Sequence, residues 1–211
     1  AVNPRYKPYK AVKNEPVWVD GLDHQARSAL FMAARFNIER AGDYLLQEGA
    51  DINRRDLNKV SPLHTACANG ASEMVGLLLK RGADVEIRDL DEQTPLHYCC
   101  RYALGNMDVV RSLVAAGANI NAQDKLGQTP IHQIIKNRRF GEKELYFLNF
   151  LLLMGGDADA RDGNAATPLD LCDDMDARKI IKDAYSIQGD LRVDRWGPSG
   201  VPPPRRRGGA P

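Results

Sequence analysis

The sequence predicts an all-α solenoid of stacked helix pairs with extended arms at both ends, and two motifs in one shared phase predict it. The first motif is Ser61-Pro62-Leu63-His64, Thr94-Pro95-Leu96-His97 and Thr129-Pro130-Ile131-His132, spaced 33 and 35 residues apart, with weaker copies at Ser28-Ala29-Leu30-Phe31 and Thr167-Pro168-Leu169-Asp170. The second is Gly49-Ala50-Asp51-Ile52-Asn53, Gly82-Ala83-Asp84-Val85-Glu86, Gly117-Ala118-Asn119-Ile120-Asn121 and Gly155-Gly156-Asp157-Ala158-Asp159. Two independent motifs at one spacing mean copies of one structural unit, each of which buries its apolar face only against a neighbour.

The elements of the unit follow in order. Thr or Ser caps a helix N-terminus, and the Pro after it stands at the first helical position, where no amide hydrogen is missed. Small residues such as Thr65-Ala66-Cys67-Ala68 then make a short, thin first helix. A second apolar run follows in each unit, at Tyr44-Leu45-Leu46, Met74 to Leu79, Val109 to Val114 and Phe147 to Leu153. Three of these four runs stop at Gly49, Gly82 and Gly117, which predicts a thicker helix ended by a left-handed glycine.

These residues resemble the ankyrin repeat family, whose unit is two helices joined to the next pair by a β-hairpin finger. The resemblance covers roughly residues 22–186 and implies five repeats, at about 21–56, 57–89, 90–124, 125–162 and 163–186, with the outer two acting as caps. It leaves 1–20 as a basic extended N-terminal arm and 187–211 as a Pro/Arg-rich C-terminal arm. It also implies that His64, His97 and His132 bond back to the motif Ser or Thr and across to the next repeat. Asp170 replaces the His in the last unit, where no following repeat exists to receive that bond.

Composition admits one elongated domain with tails: 211 residues, 43% hydrophobic, 27% charged. No run approaches the roughly 18 apolar residues of a membrane span. Cys67, Cys99, Cys100 and Cys172 occupy slots for small core residues and lack metal-ligand spacing, so they are expected as buried, reduced thiols in an intracellular setting. His64 and Cys67, three apart with Asp56 upstream, invite a nucleophile-and-base reading. The recurrence of the same His slot at His97 and His132 favours architecture instead, and neither enzyme activity nor cofactor nor metal is expected. Asp170, Asp173, Asp174 and Asp176 lack the ligand order of a calcium loop and read as an acidic start to a capping helix.

In the family, partners bind on the concave side, made by fingers and first helices. The finger's usual glycine is kept here only as Gly127 and becomes Lys59, Glu92 and Ala165 elsewhere, either as drift or as fingers reshaped for a partner. Arg54, Arg55 and Lys59 make one finger basic, while Asp91 and Glu92, with Arg88 as the exception, make the next mostly acidic. A mixed-charge protein partner is expected. Arg101 and Tyr102 are of the anchor type. Two extra residues near Arg101 to Gly105 and about five through Asn137 to Tyr146 mark insertions; Phe140 and Tyr146 beside Arg138 and Arg139 form a candidate patch there, the alternative being a longer helix that buries its aromatics.

Residues 1–20 carry net charge +2 and residues 190–211 net +3, so the body between them is −4 for a total of +1. Arg5, Lys7 and Lys10 in one arm and Arg205, Arg206 and Arg207 after a polyproline stub in the other are candidate arm contacts, and about 20 extended residues reach roughly 60 Å. The expected function is a non-catalytic protein-protein interaction module and accessory subunit of a large multi-protein assembly, anchored by its arms. The alternatives are an RNA-contacting organellar ribosomal subunit, through Arg205 to Arg207, or a free cytosolic or ciliary scaffold. An organellar, mitochondrial address is read first, by analogy with armed accessory subunits. Ala1 fits either removal of an initiator Met or cleavage of a transit peptide.

Overall fold

The computed structural model describes residues 21–102, 106–136 and 141–196, the side chains of 187–196 excepted. Ten helices form five consecutive pairs among them: α1 (Ala29–Arg35) with α2 (Glu39–Gln47), α3 (Pro62–Ala68) with α4 (Ser72–Lys80), α5 (Pro95–Tyr102) with α6 (Met107–Ala115), α7 (Pro130–Lys136) with α8 (Glu142–Leu153), and α9 (Pro168–Leu171) with α10 (Met175–Trp196). The first helices stack in the order α1, α3, α5, α7, α9, and the second helices form an outer row in which α2 packs on α4, α4 on α6, and α8 on α10.

Local chemistry sets each helix start. Four first helices begin at the motif proline, Pro62, Pro95, Pro130 and Pro168, as the sequence predicts. Ser61, Ser28 and Thr167 accept from the backbone N–H three residues on. At each second-helix stop the glycine takes positive φ, at Gly49 (91°), Gly82 (86°), Gly117 (91°) and also Gly155 (98°), so the fourth outer helix stops as the other three do. Met154 merely stands where the others have a polar residue or Ala before that glycine.

The core is the seam between the two helix rows. The motif leucines and their homologue Leu30, Leu63, Leu96 and Ile131 are no more than 1% exposed, as are Met74, Leu78, Leu113, Leu148 and Leu151 from the outer row. Burial of each such side chain stabilises by about 1.5–3 kcal/mol, and the buried set runs unbroken from α1 to α10. Ala177 and Ile181 close it at the C-terminal end.

Two points differ from the sequence reading, and a third matches one of its alternatives. No strand occurs among the described residues, and each finger is a tight turn too short to pair as a hairpin ladder. The last helix runs on to Trp196, so residues 187–196 are helical where an extended arm was expected to begin, and Gly189 lies within α10 without ending it. The fourth-repeat insertion lengthens α8 to 12 residues against nine in α2, α4 and α6. The extra residues are at its start; within the helix Phe147 is buried and Tyr146 is half-exposed, its hydroxyl accepting from Arg111.

Candidate partner-binding surface

Five aspartates build the fingers. In each, Oδ1 accepts two backbone N–H groups: Asp23 from Gln25 and Arg27, Asp56 from Asn58 and Val60, Asp89 from Asp91 and Gln93, Asp124 from Leu126 and Gln128, and Asp162 from Asn164 and Ala166. The aspartate N–H in turn donates to the carbonyl four residues on, which closes the turn. An Asp side chain mimicking a turn carbonyl in this way fixes the loop without a strand pair.

That closure forces one residue per finger into the left-handed region. Gly127 takes φ 72°, and Lys59 (58°), Glu92 (60°) and Ala165 (62°) adopt the same conformation without being glycine. The turn therefore keeps its shape and the side chain bears the strain, of order 1–2 kcal/mol each. Ala26, at φ 60°, is the same position in a first finger that the sequence reading missed. The signal was present, because Asp23, Asp56, Asp89, Asp124 and Asp162 recur in the phase of the helix motif.

Backbone straps join the tips. Leu57 N–H donates to Gln25 O at 3.1 Å, Leu90 N–H to Asn58 O at 3.0 Å, Lys125 N–H to Asp91 O at 2.9 Å and Gly163 N–H to Leu126 O at 2.7 Å. Beneath them, side chains tie finger to helix. Asp124 Oδ2 accepts from Gln93 and Gln133, and Asp89 Oδ2 from the Tyr98 hydroxyl. The fingers are thus one connected edge with a polar, satisfied base.

The motif histidines complete the frame in the way the resemblance implies. His64 Nε2 lies 2.9 Å from Gln93 O, His97 Nε2 3.0 Å from Gln128 O and His132 Nε2 3.3 Å from Ala166 O. A carbonyl only accepts, so Nε2 carries the proton and Nδ1 is left to accept from the N–H of Ser61, Thr94 or Thr129. Burial lowers the pKa of all three from the ordinary value of 6.5. With Nδ1 occupied by Ser61, His64 is not oriented as a base toward Cys67. Burial also raises the Cys67 and Cys100 thiols far above their ordinary range and Cys99 to about 12, which leaves them protonated and unreactive. No group of three or more His, Cys, Asp or Glu is placed to hold a metal among the described residues.

In the last unit Asp170 replaces the His by a reciprocal cap: Oδ2 accepts from the Thr167 N–H and hydroxyl while its own N–H donates to Thr167 Oγ1. Asp174 accepts from Ala177 N–H at the start of α10. Two of the four clustered acids therefore cap helices. Arg178 donates to Leu169 O and Cys172 O, satisfying carbonyls at the end of α9.

The candidate contact residues divide into three groups. Arg54, Arg55 and Lys59 are exposed on one finger and Asp91 and Glu92 on the next. Arg88 is only partly exposed and acts as a strut, donating to Glu92 O at 2.9 Å and to Gln123 O of the following finger at 2.8 Å. Arg101 and Tyr102 are exposed together at the end of α5, the guanidinium 5.1 Å from the ring centroid. Arg138, Arg139, Phe140 and the arm residues Arg5, Lys7, Lys10, Arg205, Arg206 and Arg207 lie outside the described residues. Sequence reasoning did not single out Leu57, Leu90 and Leu126, which stand 66%, 48% and 63% exposed on three successive tips. Leu57 and Leu90 directly follow their finger Asp and Leu126 stands two residues after Asp124, and that nearness was the available sign.

No helix among the described residues is long and apolar enough to cross a membrane. No curated protein matches the chain. A family model described as ankyrin repeats, three copies, matches residues 30–124, which span the second and third helix pairs and most of the first. The helix pairs beyond it repeat the same turn, strap and cap, so residues 30–124 are ankyrin repeats within a longer array of like units, the architecture of a protein-protein interaction module.

Proposed function

We propose that this module is an accessory subunit of a multi-protein assembly, holding its partner through the strapped finger edge. The observation that carries the reading is the pairing of rigidity with exposure. Turns fixed by Asp56 and Asp89 and by interfinger straps present Arg54, Arg55 and Lys59 beside Asp91 and Glu92, with exposed leucines between them. A fixed edge of this kind loses little entropy on binding, and apolar anchors rimmed by opposite charges suit a protein of mixed charge. The basic arms, read from sequence alone, would add reach, and a mitochondrial address rests on analogy.

Crosslinking mass spectrometry of the native assembly tests the reading, comparing wild type, a variant with Arg54, Arg55 and Lys59 changed to Glu, and a chain lacking residues 190–211. The expected result is loss of crosslinks from the finger edge in the charge-reversed protein. Full assembly by that protein, together with failure of the truncated one and a steep loss of assembly with moderate salt, would favour attachment of the Arg205 to Arg207 arm to RNA.

A further inference from the structure

Three positions on the outer helices, nine, two and one residues before the glycine that ends each, face solvent in α2, α4, α6 and α8 alike. In the first three of these helices they hold charged or polar residues or Ala, as at Glu73, Lys80 and Arg81. In α8 they hold Tyr146, Leu153 and Met154, which stand 51%, 74% and 49% exposed. Tyr146 and Leu153 share one helix face two turns apart, with the half-buried Phe150 between them, so α8 carries an apolar stripe about 10 Å long on the outer row. The row also loosens beside it. The helices α2, α4 and α6 pack on one another and α8 packs on α10, whereas α6 and α8 pack less closely, with Arg111 reaching across to the Tyr146 hydroxyl at 3.0 Å. At the Tyr146 end the stripe meets acids. Asp108 lies in the first turn of α6, Glu142 and Glu144 in that of α8 and Asp176 in that of α10, with Lys143 and Arg111 as the cations among them.

We propose that the chain's own C-terminal segment, residues 197–211, folds back along α8, with Val201 to Pro204 on the stripe and Arg205, Arg206 and Arg207 against the acidic first turns. The segment lies outside the described residues, and its length, starting point and order of chemistry carry the proposal. Packed beside α8 as the repeat dictates, α10 has 22 residues against 12, and so delivers the chain about 15–20 Å past the end of α8. Gly197-Pro198-Ser199-Gly200 follows at once, a run of turn-forming residues where a return must begin. At about 3.3 Å per residue, five or six residues bring the chain back to Leu153. A polyproline stretch rising about 3.1 Å per residue then spans the stripe in three or four more, which sets the three arginines level with the first turn of α8. Apolar residues first and cations last is the order that a segment running back along α8 needs. Polyproline settles on an aromatic and apolar surface with little entropy to lose, and the tether keeps it close. A partner or a nucleic acid gains these arginines only by displacing them. The surface is separate from the finger edge, so neither reading depends on the other.

The test uses the isotope-labelled full chain with a nitroxide attached through Gly209→Cys; the four native cysteines are buried. Amide NMR should show peak intensities from Glu142 to Tyr146 reduced more than twofold relative to the chemically reduced label, while α2 and α4 keep theirs. The loss should disappear in R205E/R206E/R207E and, separately, in Leu153→Ser with Met154→Ser, an exposed pair whose replacement leaves the core intact; melting curves check that both variants are folded. Undiminished α8 intensities in the tagged protein, or broadening retained in either folded variant, would overturn the proposal. So would strongest broadening at Asp91 and Glu92, or equal broadening of untagged labelled chains mixed with tagged unlabelled ones, which would make a second copy the occupant.

Discussion

Gly127 and Glu92 occupy the same place in successive fingers, yet removing and adding a side chain there should have opposite effects. At Gly127 a Cβ would lie 2.8 Å from Gly163 N and 3.1 Å from the Asp162 carbonyl carbon, both backbone atoms of the next finger. Ala at φ 72° carries about 1–2 kcal/mol of left-handed strain, offset by about 0.4–1 kcal/mol from the stiffer unfolded chain. Moving a backbone neighbour to relieve the contact costs about 1–3 kcal/mol more. Gly127→Ala should therefore destabilise by about 2 kcal/mol and weaken the 2.7 Å strap from Gly163 to Leu126. Glu92→Gly removes the same backbone strain without any contact to relieve and should stabilise by about 0.5 kcal/mol. The assay is urea unfolding followed by circular dichroism, paired with amide hydrogen exchange at Gly163, because a repeat array can open one unit at a time. A Gly127→Ala protein within about 0.5 kcal/mol of wild type with Gly163 still protected, or an Glu92→Gly protein that loses stability, would refute the argument that strap geometry sets these tips.

Three further outcomes follow from the frame. His64, His97 and His132 have folded pKa values lowered by burial from an ordinary 6.5, so the unfolded chain binds more protons below that value. The stability they contribute is full above pH 6.5 and falls as pH drops below it, at up to about 1.4 kcal/mol per pH unit for each buried ring; pH-dependent unfolding should show that slope, and it should flatten in His97→Gln. Asp124→Ala should destabilise by about 3 kcal/mol or more, because the N–H groups of Leu126 and Gln128 and the amides of Gln93 and Gln133 all lose one acceptor, whereas Asp124→Asn retains part of it; thermal melts rank the two. Cys67→Ser should cost about 1–3 kcal/mol by placing a hydroxyl in an apolar site with 0% exposure, and Cys67→Ala less; equal stability of Ser and wild type in denaturant titration would mean the thiol site is wetter than its packing indicates.

The frame was legible because its causes are local. Ser or Thr, then Pro, then a hydrophobic residue and His is a helix start with its cap and its crosslink written in four positions, and Pro62, Pro95, Pro130 and Pro168 each begin a helix. The fingers were legible only in part. Their positive-φ residue was placed correctly at Lys59, Glu92, Gly127 and Ala165, but the reason non-glycines survive there is the Asp Oδ1 pair and the strap to the neighbour, and the strap is a tertiary bond that no local pattern carries. Arg88 illustrates the limit on the surface: its charge placed it among contact residues, and only the two carbonyls it reaches, one of them 35 residues on, make it a strut. The end of α10 escaped for the opposite reason: composition alone assigned residues 187–196 to an arm, and the helix runs through Gly189 without ending there.

Strain at the tips does not by itself mark function. Lys59 and Glu92 hold charges outward on left-handed backbone, which invites the view that each retains strain for the sake of a contact. Ala26 and Ala165 hold the same conformation with only a methyl group to offer, so the turn imposes the angle on whatever residue stands there. What distinguishes the central fingers is therefore their outward chemistry, the basic tip beside the acidic one and the leucines between. Glu92→Gly separates the two ideas in a single protein: it relieves strain and removes a charge together. If the tip is only frame, the variant gains stability and binds its partner as before; if the carboxylate is a contact, stability rises while affinity falls, and the two readouts move apart.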